Sequence, residues 1–310
     1  FSMTFLGIES PNPEALLKTK KKQNTKKGDD DFLFNAVRTI HNKGMEVTAG
    51  FILGLDGDNE SVFDAQIDFI QRAGIPTAMV GLLSALKGTD LYLRLQQEGR
   101  LLEESQGNNV SINLNFVPQL KPETLIAGYK RVLRTLYDPT LSNYFERCFT
   151  LLSNLNASKH QATSIGRTEV MAILKSLKRQ LFSRQGPFYF RFMMKVIWYH
   201  PRLLPEAVRL AILGYHFEKT TSQQISIHEF KVFLNKEMEG FRAWFAESKG
   251  DASAEVQFFV KDLLTRVRVQ YEQIHEDFRY SVRDAMDAFQ IALDSYLDQL
   301  EESASSKALG

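Results

Sequence analysis

The chain has 310 residues, 44% of them hydrophobic and 24% charged, with a net charge of +1, which allows one large or two ordinary domains and argues against a protein built mainly to bind nucleic acid. Its one cysteine, Cys148, excludes an internal disulfide framework and an iron–sulfur cluster ligated by this chain alone. No run approaches the ~20 apolar residues of a membrane span, and nothing resembles a signal peptide, so a cytoplasmic location is expected. The chain opens at Phe1, inside an apparent strand, and is expected to be a fragment whose natural N-terminal part is absent.

Three strand-then-helix units come first. Thr4-Phe5-Leu6-Gly7-Ile8 reads as a strand ending at Glu9-Ser10-Pro11, followed by a short helix over Glu14–Thr19. The polar segment from Lys20 to Asp31 reads as a solvated loop with an aspartate cap for the next helix; a phosphate or nucleic-acid patch is the other reading. Phe32, Ala36, Val37 and Ile40 share a face of a helix over Phe32–Lys43, which Gly44 ends.

The run from Val47 to Leu55 is apolar without alternation, the habit of a strand buried on both faces in a parallel sheet. It stops at Asp56-Gly57-Asp58, where a ligand would sit at the C-terminal edge of a parallel α/β layer. Asn59 can cap the helix that follows, from about Glu60 to Ala73, which Gly74 ends. A third strand covers Ala78–Leu83, and a capped helix runs from Thr89 or Asp90 to Gln97, closed by Gly99. This spacing is that of βαβ units, whose right-handed crossovers place three parallel strands side by side. Val110–Phe116 alternates and suits an exposed strand or an extended crossing segment.

From Pro122 onward the pattern is helical. Leu125, Tyr129, Val132, Leu133 and Leu136 form one face. Asp138-Pro139 is expected to start the next helix, with Leu141, Tyr144, Phe145, Cys148 and Leu152 on one side, which makes Cys148 a core thiol rather than a nucleophile. After a loop or hinge at Asn154–Gly166, helices are expected over Thr168–Phe182, Phe188–Tyr199, Pro205–Phe217 and Ile227–Glu247. The aromatic and sulfur-rich run Phe188–Met194 reads as helix core or as a wall for a large apolar substrate. Asp251–Leu309 has neither proline nor glycine. Val267, Tyr271, Ile274, Phe278, Val282, Ala285, Phe289, Ala292 and Tyr296 form a heptad-like seam. One helix of about 45 residues, ~68 Å long, is expected there, packed on its own chain or forming a homo-oligomer.

No self-contained catalytic set appears. His41, His160, His200, His216, His228 and His275 lack metal-ligand spacing, and there is neither a Walker loop nor a nucleophile elbow.

Phe5–Pro11, Lys21–Asn24, Gly50–Asp58 and Met79–Thr89 together resemble the radical SAM superfamily, specifically the later half of the catalytic domain in its cobalamin-binding branch. The helical remainder resembles the C-terminal domain of unknown function in hopanoid-methylase-like members. The resemblance implies an α/β part followed by an all-α part. Residues 1–118 would be the C-terminal half of a partial (β/α)6 barrel, and 119–310 an appended helical domain. It implies that Glu9 and Ser10 contact the methionine or ribose of S-adenosylmethionine (SAM). Gly50, Ile52 and Gly54 match G-x-I-x-G-x-x-E beside the adenine, but Gly57 stands at the glutamate position, with Asp56 or Asp58 as substitutes. The backbone of Leu83, Ser84 and Ala85 would also approach adenine. The bland alternative for the glycines is tight strand–helix packing. The four-iron four-sulfur cluster and the cobalamin would be bound upstream, leaving this chain inactive by itself. The function implied is that of a methyltransferase acting on a terpenoid-type lipid. A nucleic-acid-modifying radical SAM enzyme and a non-catalytic helical interaction module on a remnant half barrel are the alternatives.

Overall fold

The computed structural model describes residues 1–18, 24, 31–102, 112–158, 183–247 and 254–308. Strands β1 (Met3–Glu9), β2 (Glu46–Leu53) and β3 (Ala78–Leu82) form one parallel sheet in the order β1-β2-β3, the arrangement expected of right-handed βαβ units. Helices α1 (Pro13–Lys18) and α2 (Phe32–Asn42) connect β1 to β2, and α3 (Ser61–Ala73) connects β2 to β3. Helix α4 (Asp90–Gln97) follows β3, with the Thr89 hydroxyl accepting from Tyr92 N–H at 3.2 Å. Asp31 precedes α2 but makes no side-chain cap bond, so the expected aspartate cap is absent. The rest of the expected loop, apart from Asn24, lies outside the described residues.

The two faces of the sheet differ. Ile8, Val47, Ala49, Phe51, Leu53, Ala78 and Val80 are buried. On the opposite face Met3, Phe5 and Met79 are exposed, in the row of register partners that joins Gly7 to Gly50 and Gly50 to Met79. The β2 sequence suggested burial on both faces. That holds for Glu46–Ala49, buried on both faces, while Gly50 and Ile52 at the C-terminal end of the strand are half-buried.

The chain divides into two compact units, between Thr221 and Ser222. The first unit extends that far because α5 (Pro122–Leu136) and α6 (Ser142–Asn154) pack against α3. A Cβ on Gly128 would lie 2.2 Å from the Phe63 ring, and one on Gly74 would lie 2.8 Å from Leu151 N. Only bare backbone permits such approaches. All five residues expected to form the α5 face are buried. Helix α6 starts at Ser142 rather than at Asp138-Pro139, because Leu141 adopts a left-handed conformation (φ 56). The Asp138 carboxylate accepts from Thr140 N–H (2.9 Å) and Asn143 N–H (3.4 Å) ahead of that helix. The side chains of Arg147 and Tyr137 then tie this layer to the sheet. Arg147, fully buried, donates to the carbonyls of Ile75 (3.1 Å), Leu136 (2.6 Å) and Pro76 (3.4 Å) and to Gln71 Oε1 (3.1 Å). Its guanidinium lies 4.8 Å from the ring centroids of both Tyr137 and Tyr144.

Helix α7 (Gly186–Tyr199) is confirmed, while Thr168–Phe182 lies outside the described residues. Pro205–Phe217 and Ile227–Glu247 are not separate helices. They belong to one, α8 (Leu204–Glu247), because the polar stretch between them contains no glycine or proline to stop it.

The second unit holds the rest of α8, then α9 (Ala254–Glu272) and α10 (Arg283–Ala308). The expected single helix of about 45 residues is broken: α9 ends at Glu272, and a 3-10 turn spans Glu276–Val282. Side-chain bonds accompany the break. Gln223 Oε1 accepts from His275 N–H (3.0 Å), and Arg279 Nε donates to the Ile274 carbonyl (3.1 Å). The seam nevertheless faces inward, since all nine of its residues join one hydrophobic cluster within this unit. The seam is thus covered within the chain. No helix among the described residues is long and apolar enough to cross a membrane.

Candidate functional site

The parallel register brings the expected site residues to one edge of the sheet, where the C-terminal ends of the strands meet. At the end of β1, Glu9 has a positive φ of 67 and the pairing with β2 shifts between Gly7 and Glu9. The left-handed conformation costs a residue with a Cβ roughly 1–2 kcal/mol, so surrounding bonds must hold it. Asn24 Nδ2 donates to the carbonyls of Gly7 (2.7 Å) and Ile8 (3.1 Å), and Gln66 Nε2 to the Ile52 carbonyl (3.0 Å) and more weakly to that of Glu9 (3.4 Å). The Glu9 carboxylate folds back over the open face: a Cβ on Gly7 would lie 3.0 Å from Glu9 Oε1. Ser10 is fully buried, and its hydroxyl accepts from Asn12 N–H (3.1 Å) in a local turn.

At the end of β2, Gly54 has φ 91, a conformation glycine adopts without strain. Here the chain turns so that the Asp58 carboxylate accepts from both Gly54 N–H (3.0 Å) and Leu55 N–H (2.9 Å). Asp58 is buried. Burial pushes its carboxyl up to about 6, against the opposing pull of those two bonds. Asp56 faces cations instead: its carboxylate lies 2.7 Å from Arg94 and accepts from Arg100 at 3.1 Å. The two loop aspartates therefore have different jobs. Asp58 closes the turn, and Asp56 ties the loop to α4 and the segment after it.

At the end of β3, the Leu83 N–H donates to the Leu53 carbonyl (2.9 Å). Asn115 holds Ala85 on both sides, accepting from Ala85 N–H (3.0 Å) and donating to the Ala85 carbonyl (2.8 Å). Asn115 comes from the alternating run around 112–116. Among the described residues that run forms no strand, only an isolated antiparallel bridge between Leu101 and Phe116.

Sequence reasoning missed Gln66, Arg94, Arg100 and Asn115. Their partners lie 14 to 57 residues away, and no local pattern marks them. The only available signal was a buried-type polar residue on an otherwise apolar face, as Gln66 is on α3.

Cys148 is fully buried, and its thiol is pushed up to about 12, first by burial, so it is neither a nucleophile nor a metal ligand at neutral pH. Among the described residues no group of three histidine, cysteine or carboxylate side chains could hold a metal ion. The run Phe188–Met194 is split, with Tyr189 and Phe192 buried and Phe188, Phe190 and Met194 exposed.

Comparison with known proteins adds an independent line. Residues 89–229 match a family described as a domain of unknown function, DUF4070. The chain is 32% identical over 221 residues to an uncharacterized methyltransferase of Synechocystis sp., an alignment that takes in 70% of this chain and 40% of that protein. It is 36% identical over 139 residues to the hopanoid C-2 methylase of Rhodopseudomonas palustris, covering 45% of this chain and 25% of that protein. It is 26% identical over 133 residues to the bacteriochlorophyllide d C-12(1)-methyltransferase of Chlorobaculum tepidum, covering 43% and 28%. The chain thus spans less than half the length of these curated relatives.

Proposed function

We propose that this chain is the C-terminal portion of a cobalamin-dependent radical SAM methyltransferase, and that its sheet is the SAM-facing half of a partial (β/α)6 barrel. The observation that carries this reading is the open sheet face. Gly7 and Gly50 are register partners on it, Gly81 pairs with Ile52 beside them, and the Glu9 carboxylate lies over Gly7. Similarity to three proteins named for methyl transfer supports the reaction class.

The chemistry follows from that face. The glycines serve packing as well: a Cβ on Gly50 would lie 3.1 Å from the Phe5 ring and one on Gly54 2.9 Å from Leu125, so a nucleoside would reach the Gly50 backbone only where the exposed Phe5 side chain swings aside. The Glu9 carboxylate can accept from a ribose hydroxyl or from the ammonium of the methionine moiety. Gly50, Ile52 and Gly54, with the backbone at Leu83 and Ser84, are assigned to the adenine side. Asp56 is assigned an indirect role, since its carboxylate faces Arg94 and Arg100. Ser10 and Ala85 take supporting roles, because Asn12 and Asn115 engage them. The bonds from Asp58, Gln66 and Asn115 fix the strand ends in advance, so little reordering is needed on binding.

The cluster does not fit this chain's own residues. Its one thiol, Cys148, is sealed in the core, whereas a four-iron four-sulfur cluster needs several thiolates. The proposal assigns the cluster and the cobalamin to residues outside this chain, and the methyl acceptor to the terpenoid-type lipids.

The test uses the full-length polypeptide that carries this segment, purified anaerobically. Glu9→Gln keeps the shape and removes the charge. Losing a charged hydrogen-bond partner corresponds to roughly 10- to 150-fold weaker SAM binding. Calorimetric titration reads this without requiring turnover. Unchanged affinity would remove Glu9 from the site, and absence of any SAM binding by the parent would remove the function.

A further inference from the structure

Helix α7 buries Tyr189, Phe192 and Val196 and leaves a second apolar stripe in solvent. Phe190 is 58% exposed, Met194 46%, Ile197 47% and Trp198 80%. Their spacing of four, seven and eight residues places them on one side of the helix. A helix that is apolar on both sides, with one side bare, is unusual for a protein in water.

The charge around this stripe is one-sided. Among the described residues, 183–205 contain four lysines and arginines, Arg184, Arg191, Lys195 and Arg202, and no aspartate or glutamate. The whole chain has 38 basic and 37 acidic residues, so about three acidic residues would be expected in a stretch of this length at the chain's average. Arg191 and Lys195 stand three residues before Met194 and Trp198, on the border of the stripe. Together with Phe145, Phe149, Phe188 and Phe192, they also line a groove of 260 Å³, into whose wall Ser142 and Glu146 enter. The Lys195 ammonium lies 5.2 Å from the Phe149 ring centroid.

We propose that this face of α7 docks the protein on an anionic lipid bilayer, with Phe190, Met194, Ile197 and Trp198 entering the headgroup boundary and the groove receiving one phosphate headgroup. Trp, Phe and Met beside Lys and Arg are the composition of an interfacial helix, and tryptophan settles at headgroup depth. Other occupants fit less well. A stripe of four side chains falls short of the ~800 Å² per partner of a stable protein interface. A second copy of the chain would bring cations against cations. The groove is smaller than the ~300–1,000 Å³ of pockets for whole organic ligands, yet its two cations, one of them Lys195 over the Phe149 ring, suit a single phosphate and its first methylenes. The proposal stands apart from the methyl-transfer reading and does not need it.

The chain has two tryptophans. Trp244 is stacked on Phe259 at 4.5 Å, and Trp244→Phe leaves Trp198 as the only reporter. Mixed with vesicles of phosphatidylcholine and phosphatidylglycerol, this protein should sediment with the lipid and Trp198 emission should shift to the blue. Vesicles of phosphatidylcholine alone should bind it far less. Each basic residue near an anionic surface is worth roughly fivefold in partitioning, so Arg191→Glu with Lys195→Glu should cost at least ~25-fold. Met194→Ser with Ile197→Ser should weaken binding with no change in helicity by circular dichroism, because both positions are exposed. Three results would overturn the proposal. They are no binding to anionic vesicles at low salt, equal binding to neutral ones, and a blue shift of Trp198 that appears without lipid as protein concentration rises, which would assign the face to a second copy.

Discussion

The two compact units build their interiors from different materials. Every buried polar or charged side chain among the described residues lies in the first unit, from Ser10 to Thr221. The second unit's core is apolar and aromatic: Phe241 alone meets the rings of Trp244, Phe245, Phe259 and Tyr296. Four of the buried polar groups of the first unit, Asp58, Gln66, Asn115 and Arg147, grip backbone at strand ends, and others, Glu46, Asp56 and Glu206, are held by arginines. Such groups stabilise only when fully satisfied and cost dearly when a partner is removed. A fold that needs only to stay folded can do without them, as the second unit does. Their concentration around the sheet marks the part of the chain where backbone position matters.

The sharpest way to break this comparison is Arg147→Met. The substitution keeps an apolar side chain of useful length but leaves the carbonyls of Ile75, Leu136 and Pro76 without their donor. Stability of the first unit should fall by about 3–5 kcal/mol. Arg147→Lys should not restore it, because one ammonium cannot reach this fan of acceptors. Differential scanning calorimetry reads the effect as the transition that moves. A loss under about 1 kcal/mol would mean that Arg147 merely fills space.

Leu263→Ala tests the other half. Leu263 is fully buried in the second unit, and leucine-to-alanine changes in cores cost about 2–5 kcal/mol, depending on how far the cavity collapses. Only the transition left unmoved by Arg147→Met should shift. If Leu263→Ala lowers both transitions equally, the two interiors do not respond separately and the contrast between them loses its energetic meaning.

Much of the fold was legible because its signals are local. The apolar strands, the glycines after α2, α3 and α4, and the faces of α5 and the C-terminal seam all depend on neighbours within a turn or two. What escaped was long-range or tertiary. Sequence alone joins α9 to α10, because the break at Gln273–His275 is marked only by a histidine cap, His275 Nδ1 accepting from Asp277 N–H, and by a bond to Gln223, 52 residues away. It divides α8 in two, because a polar stretch looks like a loop until helix propensity carries through it. At the candidate site, the strand ends were legible, but the partners of Asp56 and Ala85 were not. Arg94 and Asn115 lie on segments whose positions only the folded chain defines.

His41 offers the finest test of how the first unit treats buried polar groups, because it is one that grips nothing. Its ring is fully buried, neither nitrogen has a hydrogen-bond partner among the described residues, and burial lowers its pKa from 6.5 to about 4. A depressed histidine favours the neutral form in the folded state. Between pH 6.5 and 4 the unfolded chain therefore binds a proton that the folded chain does not, and stability falls as pH falls. Going from pH 7.5 to 5 this amounts to about 2 kcal/mol. Asp58 acts in the opposite sense. Its carboxyl, raised to about 6, takes up a proton in the folded state first and gives back roughly 1 kcal/mol over the same interval. His41→Phe removes one of these two slopes and leaves the other. The variant should lose about 2 kcal/mol less than the parent between pH 7.5 and 5, measured by urea unfolding of the transition that Arg147→Met identifies. It should also match or exceed the parent at pH 7.5, since no hydrogen bond of the ring is given up. If parent and variant show the same pH dependence, His41 reaches water or a partner in solution, and burial does not hold its ring neutral.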